Sequence, residues 1–262
     1  MSAVTLDADR VPTAAEQPGP SLWQLSRVEL RKSADTRAGR WLLLVVALLT
    51  LAVVAMQLFF GDGAGRTFAA YLATTQLTVG LLLPVLGILL VTSEWSQRTA
   101  MTTFTLVPRR SRVMVAKVLA GTALGLAGWV AALAVSALGV LLTSVLTDSA
   151  AGWSVTGAQL GQVAVLEVLG VLGGVAFGVL LLSSPLAIVT WFVLPVVSAV
   201  LVNTVGGLTW ARDWLDTAST TLPMAEGRLD GQGWLQVATS TALWLVLPLA
   251  VGWWRVERAE IS

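Results

Sequence analysis

The chain has 262 residues and contains neither cysteine nor histidine. That excludes disulfides, thiolate nucleophiles, Cys/His metal sites and imidazole acid–base chemistry at once. What remains is carboxylates, lysines and arginines. The lysines are two, Lys32 and Lys117, and neither follows a glycine-rich turn, so the chain lacks a phosphate-binding loop of its own. Glu167 is the single charge in the apolar stretch 158–205. A charge inside a membrane span costs about 2.5–3.5 kcal/mol on insertion scales, so Glu167 must face a cavity, find a partner or take up a proton. Two readings stand side by side: a residue lining a translocation path or carrying protons, and a neutral acid hydrogen-bonded to a neighbouring helix. One acid within the apolar runs supplies no nucleophile–base pair, and the chain is not expected to be an enzyme.

The densest grouping of functional side chains is Glu94-Trp95-Ser96-Gln97-Arg98-Thr99, then Met101, Phe104 and Leu106, then Pro108-Arg109-Arg110-Ser111-Arg112, and Lys117. Trp95, Thr99, Met101 and Phe104 share a broad helical face, and Pro108 stops that helix. Glu94 and Arg98 stand one turn apart and offer opposite charges to a partner, with Trp95 and Phe104 as aromatic anchors. For Arg109, Arg110 and Arg112 the alternative is simple attachment to lipid phosphates.

The elements that must position these groups are helices in lipid. Hydrophobic residues make up 56% of the chain and charged residues 12%, against about 25% charged in a soluble domain. The mean hydropathy is +0.80. Apolar runs of spanning length occupy 41–60, 67–93 and 118–146. The stretch 158–205 is too long for one crossing, and Ser183, Ser184 and Pro185 divide it into two. A sixth span covers 234–254. The expected fold is therefore an all-α integral membrane protein, one six-span domain over 21–262. Residues 1–20, with Pro12, Pro18 and Pro20, are expected to be a disordered cytosolic tail. Residues 21–37 carry an amphipathic helical pattern, with Ser21 and Gln24 placed for a capping box. That helix either lies along the membrane interface or folds back on the body.

Charge sets the orientation. Arg10, Arg27, Arg31, Lys32, Arg37 and Arg40 precede the first span, Arg98, Arg109, Arg110, Arg112 and Lys117 lie between the second and third, and Arg255 and Arg258 follow the last. The opposite loops hold only Arg66, Arg212 and Arg228. Basic loops stay cytoplasmic, so both termini and residues 94–117 are expected in the cytosol of a cell whose plasma membrane holds the chain. The 206–233 loop then lies outside. It is long enough to need folded pieces of its own, re-entrant or interfacial.

The 94–117 stretch resembles the cytoplasmic coupling region of type-2 ABC transporter permeases: an acidic residue leaving the second span, Arg-Thr, a Pro-Arg-Arg turn, and a lysine opening the third. The amphipathic segment before the first span, the Gly174 to Gly178 run, the Ser184-Pro185 turn and the long outer loop are similar to that family too. The composition looks like the short permeases of high-GC actinobacteria. The resemblance implies the permease subunit of an ABC exporter in a bacterial plasma membrane. It would pair with a second permease subunit, as homodimer or heterodimer, and rest a cytosolic coupling helix on an ATP-binding cassette subunit. ATP and magnesium would bind that partner, with no cofactor in this chain and no role for nucleic acid. Glu94, Trp95, Arg98, Thr99, Phe104, Pro108, Arg109 and Arg110 would form the contact with the ATPase. Membrane lipids surround the rest, and the spans offer little to hold a polar solute, so the expected substrate is hydrophobic or amphipathic. The alternative is a proton-coupled carrier or channel that uses Glu167 and needs no ATPase.

Overall fold

The computed structural model describes residues 20–62, 64–97, 99, 109–147 and 152–258, and these are built from helices without a strand among them. Residues 1–19 of the expected disordered tail, the Arg98 position and the body of the expected coupling helix, 100–108, lie outside the described residues. The first helix, α1 (Leu22–Asp35), opens on the capping box its sequence encodes. Ser21 Oγ accepts the Gln24 N–H at 3.2 Å, and Gln24 Oε1 accepts the Ser21 N–H at 2.8 Å. Thr36 turns the chain into α2 (Arg37–Phe60) and caps it by accepting the Gly39 N–H. That corner needs glycine, because a Cβ on Gly39 would sit 1.8 Å from the Ser33 carbonyl oxygen.

Five further long helical stretches follow: α3 (Phe68–Ser96), α4 (Arg110–Leu146), α5 (Gly157–Leu181), α6 (Ser184–Thr204), and a final unit over 231–258 made of α9 (Gly231–Thr241), a π turn (Ala242–Val246) and α10 (Leu247–Arg258). With α2 this gives, among the described residues, six helical stretches long and apolar enough to cross a membrane. Their outer faces are apolar, with Leu77, Val145, Val196 and Leu235 among the exposed side chains. Such a set fits a multi-pass membrane protein. The second span runs through Ser96, so Glu94 and Trp95 end that helix rather than begin the next. The third starts at Arg110, about two turns before the apolar run that announced it.

The centre of the bundle is α3 packed on α5. The glycines spaced four apart on α5 make that contact: a Cβ on Gly174 would meet the Pro84 carbonyl oxygen of α3 at 2.0 Å, and one on Gly178 would meet the Ile88 carbonyl oxygen at 3.1 Å. The Gly121 and Gly125 face of α4 is spent on α5 as well, against Val175 and Val168. Both small-residue stripes therefore pack within one chain. At the opposite extreme α6 has one buried residue, Ala187.

At the end away from α1, the long loop contains two short helices, α7 (Thr209–Leu215) and α8 (Thr217–Ala225). The sequence required folded pieces there, and at 7 and 9 residues neither is long enough to cross. Side chains pin the loop to the bundle. Gln159 donates to the Ala225 carbonyl at 3.3 Å, Gln162 Oε1 accepts the Leu229 N–H at 3.3 Å, and Trp244 Nε1 donates to the Leu215 carbonyl at 2.7 Å. Gly227 has φ +69°, and a Cβ there would lie 2.6 Å from that of Gln159, so the loop turns where only glycine fits.

Candidate functional site

The strongest electrostatic feature is a closed ring of four charges where α1, α3 and α4 meet. Glu29 and Lys32 stand three residues apart on α1, Glu94 is in the last turn of α3, and Lys117 is two turns into α4. Lys32 Nζ lies 2.8 Å from Glu29 Oε1 and 2.7 Å from Glu94 Oε1. Lys117 Nζ lies 2.6 Å from Glu29 Oε2 and 3.2 Å from Glu94 Oε2. Each carboxylate thus sits between two ammonium groups and each ammonium between two carboxylates. Lys117 is 1% exposed and gives its third hydrogen to the Leu90 carbonyl at 2.9 Å, so all three donors are used. Burial works against the charge on Lys32, but the Glu29 and Glu94 carboxylates outweigh it and hold its pKa above the ordinary value of 10.5.

The helix α1 turns its polar stripe inward to build this ring. Ser26, Glu29 and Ser33 are its buried residues, and the two serines satisfy their hydroxyls on the Leu22 and Leu30 carbonyls of their own helix. Trp23, at 73% exposure, and Val28 face out. Amphipathicity alone assigns the apolar side to lipid and leaves the polar side to headgroups and water. The structure gives one strip of that polar side, Ser26, Glu29 and Ser33, to the protein, where Glu29 meets Lys117, and leaves Gln24, Arg27 and Arg31 exposed.

The residues expected at a partner surface divide into three groups. Glu94 is 5% exposed and its two oxygens face the chain's own lysines. Trp95 is half-buried against a core cluster of Leu90, Val113 and Val256. Thr99 is exposed, its N–H held by the Glu94 carbonyl at 2.9 Å. Arg109 is exposed at the start of α4, while Arg110 reaches across to donate to the Val256 carbonyl at 2.7 Å, near the end of α10. Arg112 holds the Pro20 carbonyl at 2.7 Å, just before α1. Arg98, Phe104 and Pro108 lie outside the described residues.

Glu167 is placed elsewhere, between α5 and α3, and is 1% exposed. Its carboxyl group faces the carboxamide N–H of Gln76 on α3 without a well-formed hydrogen bond, and the carboxamide oxygen of Gln76 has no donor. Both side chains flank Gly80, the missing Cβ of which would lie 3.4 Å from Gln76 Nε2 and 3.8 Å from Glu167 Oε1. Pro84, four residues on, has no N–H to give the Gly80 carbonyl, so the backbone there is also short of a donor. No group of three or more His, Cys, Asp or Glu placed to hold a metal occurs among the described residues.

The ring is not apparent in the sequence because its four members lie in three separate segments. The signal was available: an ammonium at Lys117, flanked by Ala116 and Val118, requires counter-ions, and Glu29 and Glu94 are acids on the same basic side of the chain. Neither a protein-family model nor a curated protein matches this chain.

Proposed function

We propose that this chain is the membrane-spanning permease subunit of an ATP-driven exporter, moved by separate ATP-binding cassette subunits that contact the segment between α3 and α4. The observation that carries the reading is the anchoring of that segment. One root is Glu94 and the other is Arg110 to Lys117, and the charge ring joins both to α1, while Arg110 ties the second root to α10. A force on residues 97–109 therefore acts on α1, α3, α4 and α10 together, not on one loose loop. That is the mechanical requirement for a subunit without a nucleotide site of its own, and it adds to the resemblance carried by Arg98-Thr99 and Pro108-Arg109-Arg110. The substrate class that suits walls this apolar is a hydrophobic or amphipathic molecule, with both termini and the 97–109 segment in the cytosol. Affinity purification from native membranes in mild detergent tests the reading. A stoichiometric partner with a phosphate-binding loop supports it, and purification of the chain alone with full transport activity refutes it.

One observation favours a second reading, a proton-coupled carrier. Glu167 and Gln76 lie buried side by side between the two central helices, and the carboxamide oxygen of Gln76 has no donor, an arrangement in which the Glu167 carboxylate can receive a proton. Glu167→Gln separates the two. An exporter driven by ATP retains at least half its transport rate in the variant, whereas a carrier that moves protons through Glu167 loses transport together with any pH gradient it generates in vesicles.

A further inference from the structure

A cavity of about 300 Å³ opens between α2, α3 and α4. Leu43, Val46, Ala47, Thr50 and Leu51 of α2 form one wall, and Leu124, Ala127, Gly128, Ala131, Ala132 and Val135 of α4 form the other, with Val79 and Leu83 of α3 at the back. The one hydroxyl in the lining, Thr50 Oγ1, is occupied by donation to the Val46 carbonyl at 2.7 Å. Small residues on α4 make the room. Gly128 closes the back, where a Cβ would strike Leu83 Cδ2 at 2.3 Å. On the outer side Leu43 and Leu51 are 37% and 46% exposed, so the slot opens sideways, out of the bundle.

From Leu43 to Leu51 the slot runs about 12 Å along α2, parallel to the helix. Its volume is roughly ten times the share of one water molecule in the liquid, and a methylene group is of similar size. An apolar void of this size left empty costs stability in proportion to its volume, and water gains no partners there. The shape is that of one extended hydrocarbon chain.

The end of the slot carries a charge. Arg40 lies three residues before Leu43 and seven and eleven before Ala47 and Leu51, so all four share one face of α2. It is exposed and makes no ion pair among the described residues, and Arg37 stands one turn nearer the positive end of the same helix. A fatty chain in the slot places its headgroup at the Arg40 guanidinium group.

We infer that this slot binds one acyl chain of an anionic phospholipid, with the phosphate held by Arg40. The inference rests on the six-span membrane reading but not on ATP-driven export, and it fails independently of the latter. It is tested on the full-length protein, delipidated in detergent and titrated with dipalmitoyl phosphatidylglycerol or dipalmitoyl phosphatidylcholine, with bound lipid counted by native mass spectrometry. The wild type should retain one phosphatidylglycerol in preference to phosphatidylcholine by about fivefold, the effect of one basic residue near a headgroup. Arg40→Gln should erase that preference and keep the residual binding. Ala47→Phe and Ala131→Phe, which fill the slot from its two walls, should each abolish tight binding of both lipids. Val196→Phe, on the exposed face of α6, should leave both unchanged. Two fillers are used so that a folding failure in one does not decide the result, and each variant is first required to elute as a single species. Retained lipid in either well-folded filler overturns the inference, as does equal affinity of the wild type for the two lipids. A disulfide formed between two Ala47→Cys chains in native membranes also overturns it, because a second copy would then occupy the slot.

Discussion

At the scale of single residues, the ring of Glu29, Lys32, Glu94 and Lys117 makes unequal demands on its members. Lys117 is fully enclosed, and its loss would leave Glu29 and Glu94 facing each other with half their counter-charge gone. Breaking a buried pair in this way costs about 3–5 kcal/mol. Lys32 is 40% exposed at its side chain, where an ion pair contributes about 0–1 kcal/mol. Lys117→Met should therefore lower the melting temperature of the purified protein far more than Lys32→Met does, as read by thermal unfolding in detergent; equal shifts would mean that the ring is not the seat of stability. The pH dependence follows from Lys32. Its pKa is raised in the folded state, so its contribution is complete below the ordinary value of 10.5 and fades as the pH climbs through the folded value. A melting-temperature profile from neutral to strongly alkaline pH should fall more steeply in the wild type than in Lys32→Met, and only above about pH 10. An ammonium at Lys117 signals by residue type alone that counter-ions are needed, but their pairing is not legible, because helical periodicity says which residues share a face and not what that face meets. By contrast Glu167 was singled out by its sequence alone, since one acid in a long apolar stretch stands out whatever surrounds it.

At the scale of elements, glycine placement decides how the helices meet. Gly174 stands against the Pro84 carbonyl, while Gly161, about one turn inside the start of the same helix, has nothing within 4 Å of its missing Cβ. Gly174→Ala should thus destabilise by about 1–3 kcal/mol through overpacking, and Gly161→Ala should stabilise by about 0.5–1 kcal/mol through helix propensity. Thermal unfolding of the two variants side by side checks both signs. The spans themselves were readable because an apolar run of some 20 residues has few other uses. The Ser183 to Pro185 break and the Ser21 cap were readable for the same reason, being local chemistry. What sequence could not give was the extra length of α3 and α4 beyond their apolar runs. There, polar residues continue the helix because Glu94 and Lys117 have each other. The glycines spaced four apart on α4 and α5 lie at close helix contacts, and the three-dimensional arrangement shows that the partner is in the same chain.

For the whole molecule, the two ends differ in kind. One end gathers α1, the ring, Arg110, Arg112 and the close of α10; the other carries Asp213, Asp216, Glu226 and Asp230 on and beside the short helices α7 and α8. The basic end is expected in the cytosol. A chain without cysteine makes the test clean. Gly206→Cys should react with a membrane-impermeant maleimide on intact cells, and Ala34→Cys only after permeabilisation. The reverse pattern would invert the molecule and remove the basis for a cytosolic ATPase contact.

The sparse attachment of α6 has a bearing on how such a molecule is handled. With Ala187 its single buried residue, this rod leans on its siblings along one flank and takes its remaining support from whatever fluid or protein surrounds it. Extraction replaces that surrounding. The first casualty of a harsh solubilising agent should accordingly be this outlying column, while the α3–α5 spine behind it stays whole.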